Sequence, residues 1–188
     1  MKNTVLEMIG THKELLSAFE TDGIETVITA ANMITDSLKA GGCVCLCGNG
    51  GSAADAQHIA GEFIGRFRKD RKALPAIAFS TDTSVLTCIG NDYSFEDIFA
   101  RQVEALTKEN DILWAFSTSG SSANILKAAK LAKEKGSKVL AFTGKADSEL
   151  EKISDICLCA NSEQTSSSQE IHQLAYHIIC NLVEKAAT

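Results

Sequence analysis

The chain has 188 residues, of which 45% are hydrophobic and 22% are charged, and its formal net charge is −6. This composition is that of an ordinary globular protein, and the length suits one domain with a full hydrophobic core. The apolar runs are too short to span a bilayer, and no secretory signal follows Met1. The one basic cluster, at 66–72, is typical of a solvated loop, so we expect no nucleic-acid or membrane partner.

Residues 1–40 predict two helices, which Gly23 separates and the pair Gly41-Gly42 ends. In the second helix, apolar side chains recur at steps of three and four, at Ile24, Val27, Ile28, Ala31, Ile34 and Leu38. This apolar stripe needs a partner, and a second subunit is a plausible one.

From residue 41 onward, short apolar runs alternate with amphipathic segments. Strands are predicted at 43–47, 76–79, 111–116, 138–143 and 155–160. Helices are predicted near 52–66, 83–90, 95–107, 121–135, 148–152 and 166–186. Continuous apolar strands spaced by helices indicate a parallel sheet that is buried on both faces. We therefore predict a single α/β domain, a doubly wound five-stranded parallel sheet flanked by helices, with a helical pair at 1–40 and an α/β sandwich at 41–188.

Five of the seven cysteines alternate within the apolar runs at 43–47 and 157–159. Alternation in an apolar run is typical of a buried strand, and the sequence contains no C-x-x-C pair. We expect reduced, buried thiols, which suit a cytoplasmic protein.

Two similar segments follow predicted strands and open helices, "GSAAD" at 51–55 and "GSSAN" at 120–124. Both therefore lie at the carboxyl ends of parallel strands, where such folds bind ligands. The second belongs to "STSGSSAN" at 117–124, which carries five hydroxyl groups at a helix start. Free backbone N–H groups and hydroxyls favour an anion, so we predict a phosphate cradle of Ser117, Thr118, Ser119 and Ser122. Ordinary helix capping is the alternative, but it needs only one hydroxyl.

The loop "GNGGSA" at 48–53 fits the G-x-G-x-x-A pattern of dinucleotide-binding loops. The acidic residue expected at the end of the second strand is missing, however, so a nicotinamide or flavin cofactor is the weaker alternative. A sugar held by the backbone amides of Asn49, Gly50 and Gly51 fits better. Asn91 and Asp92 also suit sugar hydroxyls, although a turn with a capping role explains them equally well.

The helix after this loop carries Asp55, His58 and Glu62 along one stripe. An imidazole and a carboxylate at this spacing can bind one divalent metal ion. The alternative is a surface hydrogen-bonded pair between His58 and Glu62. The position of the helix at the ligand edge of the sheet favours the metal.

The last predicted helix repeats Gln169, Gln173 and His177 every four residues, away from its apolar face. A stripe of this kind without lysine or arginine is unusual for a solvated surface. His172 lies at the edge of the apolar face, and we interpret it as structural.

Four segments together resemble the SIS (sugar isomerase) domain family and, more narrowly, its phosphoheptose isomerase branch. They are "CGNGGSAADAQHIAGEF" at 47–63, "LPAIAFSTDTSVLTCIGND" at 74–92, "STSGSSANILKA" at 117–128 and "SSSQEIHQLAYHIICNLVE" at 166–184. The resemblance implies one zinc ion per subunit, bound by His58, Glu62, Gln169 and His177. It implies Glu62 and His177 as the acid/base pair. It implies substrate contacts from Asn49, Gly50, Gly51, Glu62, Asn91, Asp92, Ser117, Thr118, Ser119, Ser122 and Gln169.

The function implied by this resemblance is the conversion of sedoheptulose 7-phosphate to D-glycero-D-manno-heptose 7-phosphate through an enediolate, for bacterial surface heptose. The family also implies a cytoplasmic homotetramer with sites near subunit interfaces. Two alternatives stay open at this point. One is a non-catalytic SIS protein that binds a replication initiator, and the other is a SIS isomerase for a different sugar phosphate.

Overall fold

The structure is a computed structural model that describes residues 1–187. Thr188, the last residue of the predicted domain, lies outside the described residues. The elements follow in the order α1 (Lys2–Asp22), α2 (Ile24–Lys39), β1 (Val44–Cys47), α3 (Gly51–Ile64), β2 (Ala76–Ala78), α4 (Thr83–Asp92), a 3-10 helix (Phe95–Asp97), α5 (Ala100–Leu106), β3 (Ile112–Ser117), α6 (Ala123–Glu134), β4 (Lys138–Thr143), α7 (Glu149–Ile153), β5 (Ile156–Cys159) and α8 (Thr165–Ala187).

The five strands form one parallel sheet in the order β2-β1-β3-β4-β5. The chain reverses its winding direction between β1 and β3, which are neighbours in the sheet although α3, β2, α4 and α5 separate them in sequence. This arrangement confirms the predicted doubly wound α/β fold. It also identifies the crevice between the loops after β1 and β3 as the place where such sheets bind ligands.

Helices cover both faces of the sheet because successive strand side chains point to opposite sides. On one face Leu46, Trp114 and Phe142 pack with residues of α2, α3 and α8. On the other face Leu113 and Val139 pack with residues of α4, α5, α6 and α7. This double cover explains why the strands are apolar along their whole length.

The helices α1 and α2 meet at Gly23, whose φ of −90° is accessible to any residue. A side chain at this position would collide with the Phe19 ring, so glycine is required by the close contact. Helix α1 buries no residue of its own in the single chain, and apolar side chains such as Val5 and Ile9 are exposed. Among residues 1–187, no helix combines the length and apolar character needed to cross a bilayer.

Three local predictions need correction. The helix predicted at 95–107 is divided into the 3-10 helix and α5, because the Ser94 hydroxyl accepts a hydrogen bond from the Glu96 N–H and starts a separate turn. The basic segment 66–72 is not wholly solvated, since the Arg71 side chain is only 4% exposed. Not all the thiols are buried as predicted, since Cys88 is exposed and Cys43, Cys157 and Cys159 are only partly buried.

Candidate active site

The loops after β1 and β3 form two sides of the crevice at the switch point. In the first loop, Gly50 has a φ of +58°, a left-handed conformation that glycine adopts without strain. The turn is closed by hydrogen bonds from the Ser52 N–H to the Asn49 carbonyl and from the Ala53 N–H to the Gly50 carbonyl. Helix α3 therefore starts directly at the crevice, as the sequence predicted.

In the second loop the hydroxyl groups bond to one another rather than to the helix that follows. Ser117 Oγ lies 3.3 Å from Ser119 Oγ and 3.0 Å from Ser122 Oγ. Ser122 is the residue that precedes α6, yet its side chain makes no capping hydrogen bond. Gly120 forms the turn with a φ of +64°. The hydroxyls are thus gathered at the start of α6, which disfavours the capping alternative and suits an anion.

A reciprocal pair of amide hydrogen bonds joins the two loops. Asn49 Nδ2 donates to Asn124 Oδ1, and Asn124 Nδ2 donates to Asn49 Oδ1, both at 2.9 Å. Asn124 belongs to the first turn of α6 and is 3% exposed. The pair therefore spans the crevice between β1 and β3.

Helices α3 and α8 run side by side in the same direction. At their starts, a Cβ added to Gly51 would collide with the Gln169 amide, so Gly51 is the residue that allows this approach. Farther along, His58 on α3 meets His177 on α8, with ring centroids 5.0 Å apart. The two helices therefore bring together side chains that are 119 residues apart in sequence.

Three potential metal ligands converge where these helices meet. One ligand atom from each of His58, Glu62 and His177 lies within 4.8 Å of the others. His58 Nε2 is 3.1 Å from Glu62 Oε1 and 3.5 Å from His177 Nε2. The sequence predicted that these side chains would meet, and they do.

Tyr176, which the sequence analysis did not single out, holds the other side of the His58 ring. Its hydroxyl lies 3.0 Å from His58 Nδ1 and 3.4 Å from Asp55 Oδ1. The hydroxyl donates to Asp55, whose pKa is raised by burial, and its contact with Nδ1 orients the His58 ring. Glu62 Oε1 lies 3.1 Å from His58 Nε2, so the two side chains form the hydrogen-bonded pair considered from the sequence, and a bound cation would take the place of the shared proton.

This donor set fits a divalent cation. Three electron-rich atoms that face one another repel unless a cation or a proton lies between them. Ligand atoms bound at tetrahedral zinc distances are about 3.3 Å apart, close to the 3.1 Å and 3.5 Å observed. Two imidazoles and a carboxylate are ligands that suit zinc and related divalent ions. Gln169 lies two helical turns before His177 on α8, against Gly51 at the start of α3, and within residues 1–187 no hydrogen bond joins it to the three converging ligands.

Burial and neighbouring charge shift the pKa values of His177 and Tyr176. Burial lowers the pKa of His177, and the adjacent His58 adds to the decrease, while Glu62 opposes it. Burial raises the pKa of the Tyr176 hydroxyl, and Asp55 adds to that rise. A neutral His177 can accept a proton, and the neutral Tyr176 hydroxyl donates a hydrogen bond to Asp55.

A buried ion pair fixes the ends of both helices behind this cluster. Glu184 on α8 accepts hydrogen bonds from the backbone N–H groups of Phe67, Arg68 and Lys69 at 2.8–3.0 Å and lies 3.3 Å from Arg71 Nε. Burial alone would raise the pKa of Glu184, but these three N–H donors and Arg71 hold it below its ordinary value. Arg71 in turn donates to the last carbonyls of α3, those of Glu62 and Phe63. The loop then holds the Phe67 ring against His177, with centroids 5.6 Å apart.

Two predicted contacts lie elsewhere in the single chain. Asn91 bonds to Asp92, and Asp92 lies in a groove with Ile77 and Tyr93. Within residues 1–187, no hydrogen bond joins either residue to the hydroxyl loop or to the three converging ligands. His172 is structural as predicted, since it is fully buried and its Nε2 bonds to the Thr143 carbonyl at 3.0 Å.

The side chains that the sequence analysis missed support others rather than face the crevice. Tyr176 and Glu184 were given no role in the sequence analysis, and Arg71 belonged to the basic cluster that was interpreted as a solvated loop. One signal was available: Asp55 and Asn124 are the fifth residues of the two similar segments "GSAAD" and "GSSAN". Each reaches a side chain on a different element.

Comparisons with known proteins agree with this architecture. The family model of the SIS domain matches residues 9–144. The phosphoheptose isomerase of Clostridium acetobutylicum is 49% identical over 187 residues, which cover 98% of this chain and 95% of that relative. The phosphoheptose isomerase of Burkholderia pseudomallei is 52% identical over 161 residues, which cover 86% of this chain and 82% of the relative.

Solved structures give the same result. The phosphoheptose isomerase of Neisseria gonorrhoeae superposes with a TM-score of 0.93 at 36% identity, over 98% of each chain. That of Francisella tularensis superposes with a TM-score of 0.94 at 34% identity, over 97% of each chain. The chain therefore belongs to the SIS domain family, within the branch that phosphoheptose isomerases form.

Proposed function

We propose that the chain is an aldose–ketose isomerase that converts sedoheptulose 7-phosphate to D-glycero-D-manno-heptose 7-phosphate. The observation that carries the proposal is the convergence of His58, Glu62 and His177 from two helices that begin at the ligand edge. The names of the similar proteins, which are 48–52% identical in several cases, support the same substrate.

The phosphate end of the substrate is assigned to the hydroxyl loop. Ser117, Thr118, Ser119 and Ser122 supply hydroxyl donors, and the start of α6 supplies free backbone N–H groups. The backbone amides of Asn49, Gly50 and Gly51 and the side chain of Gln169 are assigned to the sugar. Binding energy from the distant phosphate then holds the reacting carbons in place.

Isomerisation requires two proton transfers, and two side chains suit them. The Glu62 carboxylate removes the proton from C1 and returns it to C2, through an enediolate. His177, whose pKa is lowered, accepts the O1 proton at Nδ1 as a neutral imidazole and delivers a proton to O2, because its Nε2 faces the proposed metal cluster. Glu62 and His177 can act on neighbouring atoms of one substrate, because both side chains belong to the same cluster.

We propose that zinc, one ion per subunit, is held by His58, Glu62 and His177, with Gln169 as the fourth ligand. When bound, the ion would act as a Lewis acid that stabilises negative charge on the substrate oxygens. We infer that Tyr176 and Asp55 orient the His58 ring for this purpose, as the groups behind metal-binding histidines do.

The test is turnover of sedoheptulose 7-phosphate by the purified protein and by the variant Glu62→Gln. This exchange keeps the shape of the side chain and removes the base, so we expect kcat to fall by about 10²- to 10⁴-fold with the fold intact. Glu134→Gln, on the exposed face of α6, is the matched control and should leave kcat unchanged. Near-full activity of Glu62→Gln would exclude Glu62 as the base.

The turnover assay, together with a pull-down, a substrate competition and a cofactor titration, distinguishes the alternative functions. A non-catalytic SIS protein that binds a replication initiator would show no turnover and would recover a stoichiometric protein partner in a pull-down. An isomerase for another sugar phosphate would prefer a hexose or pentose phosphate in competition. A dinucleotide-binding protein would change its fluorescence when titrated with NAD or FAD.

We also propose that the protein is a cytoplasmic homotetramer whose product serves bacterial surface heptose. The support for an oligomer is that α1 buries none of its residues in the single chain while Val5, Leu6, Met8 and Ile9 remain exposed. Light scattering coupled to size-exclusion chromatography should give a mass near four chains of 20.1 kDa each. A monomer at micromolar concentration would contradict this.

A further inference from the structure

The amide pair Asn49–Asn124 crosses the crevice in which the substrate is proposed to bind. Asn49 follows β1 and borders the proposed sugar site, and Asn124 follows the hydroxyl loop after β3. Within residues 1–187, these two hydrogen bonds are the only ones between side chains of the two loops. The pair therefore links the part of the site that holds the sugar to the part that holds the phosphate.

The geometry of the pair fixes the orientation of the Asn49 amide. Each amide offers a C=O acceptor on one side and an N–H donor on the other, and both 2.9 Å contacts use one of each. If either amide turned over alone, both hydrogen bonds would become contacts between like groups. Asn124 is 3% exposed, so water cannot replace Asn49 as its partner, and the buried amide would be left unsatisfied.

The pair also holds the backbone next to it. Asn49 is joined to Gly50, whose φ of +58° turns the chain into α3, and the Asn49 carbonyl accepts from the Ser52 N–H. Two residues before Asn124, Ser122 bonds to Ser117 within the hydroxyl loop. A change at Asn124 is therefore transmitted to the sugar side through Asn49, while the hydroxyl loop keeps its own hydrogen bonds.

We propose that Asn124 is a positioning residue for the isomerase, which orients Asn49 and sets the width of the crevice between the sugar site and the phosphate cradle. The inference rests on the proposed function. It assigns Asn124 no contact with the substrate: its effect on binding passes through Asn49.

The test uses Asn124→Asp and Asn124→Leu, with titrations of sedoheptulose 7-phosphate and of inorganic phosphate followed by calorimetry at pH 8 and pH 5.5. At pH 8, the aspartate variant replaces one donor with an anionic acceptor opposite the Asn49 carbonyl. We expect the Kd and KM for the sugar phosphate to rise at least about tenfold in both variants, because a buried polar partner is lost. The kcat and the Kd for inorganic phosphate should stay within error of the wild type.

Acidification supplies a rescue that a purely structural role would not show. A protonated carboxyl group can form the same two hydrogen bonds with an amide, and burial raises the pKa of a carboxyl group toward mild acidity. The ratio of the Asn124→Asp Kd to the wild-type Kd should therefore fall toward one at pH 5.5, whereas the ratio for Asn124→Leu should stay constant.

The outcomes that overturn the inference are distinct from a failure of the proposed function. If the wild-type protein binds no sugar phosphate, its titration alone shows that the proposed function and this inference fall together. If the wild type binds it and both variants bind it equally well, only this inference is wrong. It is also wrong if the variants bind inorganic phosphate more weakly by the same factor as the sugar phosphate. Loss of the native circular-dichroism spectrum in both variants would equally overturn it.

Discussion

Removal of a single hydroxyl group tests how the metal cluster is organised. The Tyr176 ring is fully buried, and its hydroxyl contacts His58 Nδ1 at 3.0 Å and Asp55 Oδ1 at 3.4 Å. The variant Tyr176→Phe keeps the ring in the core and deletes only these two contacts. The other oxygen of Asp55, Oδ2, is buried and has no hydrogen-bond partner among residues 1–187, so in that part of the chain Asp55 would have no donor left for either oxygen.

Without the hydroxyl, the contact that orients the His58 ring from its Nδ1 side is lost. Loss of a group that orients a metal-binding histidine weakens metal binding by about 10- to 100-fold, which corresponds to about 1.4–2.8 kcal/mol. The lost hydrogen bond to a buried carboxylate should lower the free energy of unfolding of the metal-free protein by about 1–3 kcal/mol. Zinc affinity is measured by competition with a fluorescent chelator, and stability by urea unfolding.

The control is Tyr93→Phe, which changes the other of the two tyrosines in the chain. Tyr93 is 62% exposed, and its ring contacts the Arg101 guanidinium group. This variant should match the wild type in both measurements. Equal zinc affinity of Tyr176→Phe and the wild type would refute the reasoning, because the orientation of His58 would then be set by another group. A second readout is the ¹⁵N shift of the His58 ring nitrogens in the metal-free protein, which should differ between Tyr176→Phe and the wild type because the contact to Nδ1 is lost.

Two further predictions concern stability. Burial lowers the pKa of His172 from 6.5 to about 4. The free energy of unfolding should therefore decrease by about 3 kcal/mol as the pH falls from above 6.5 toward 4, because the unfolded chain binds the proton more tightly. His172→Gln should remove this loss of stability at acidic pH, as measured by urea unfolding at pH 7 and pH 4.5. An equal decrease in the free energy of unfolding of the variant and the wild type would contradict the prediction. Glu184→Gln breaks the buried pair with Arg71 and should cost about 3–5 kcal/mol in chemical unfolding. Glu170→Gln on the same helix, which removes an exposed pair with His12, should cost less than about 1 kcal/mol, and similar losses in the two variants would refute the role assigned to burial.

The positions of the helices and strands could be predicted from the sequence because their signals are local. The apolar runs of β1 and β3 and the three- and four-residue steps of α2 and α8 depend only on neighbouring residues. The hydroxyl loop was also recognisable, since its five hydroxyls stand within six residues. The division of the segment 95–107 was not, because it depends on the Ser94 hydroxyl turning back to the chain.

The candidate site divides in the same way. The residue types and the His58–Glu62 spacing were in the sequence, because one helix carries both. Only the tertiary structure decided which side chains support them. Tyr176 acts on His58 and Asn124 acts on Asn49 only because strand order and helix packing bring distant segments together. Contacts of this kind have no period along the chain, so the sequence by itself determined the elements and the reactive groups, while packing determined how those groups are oriented.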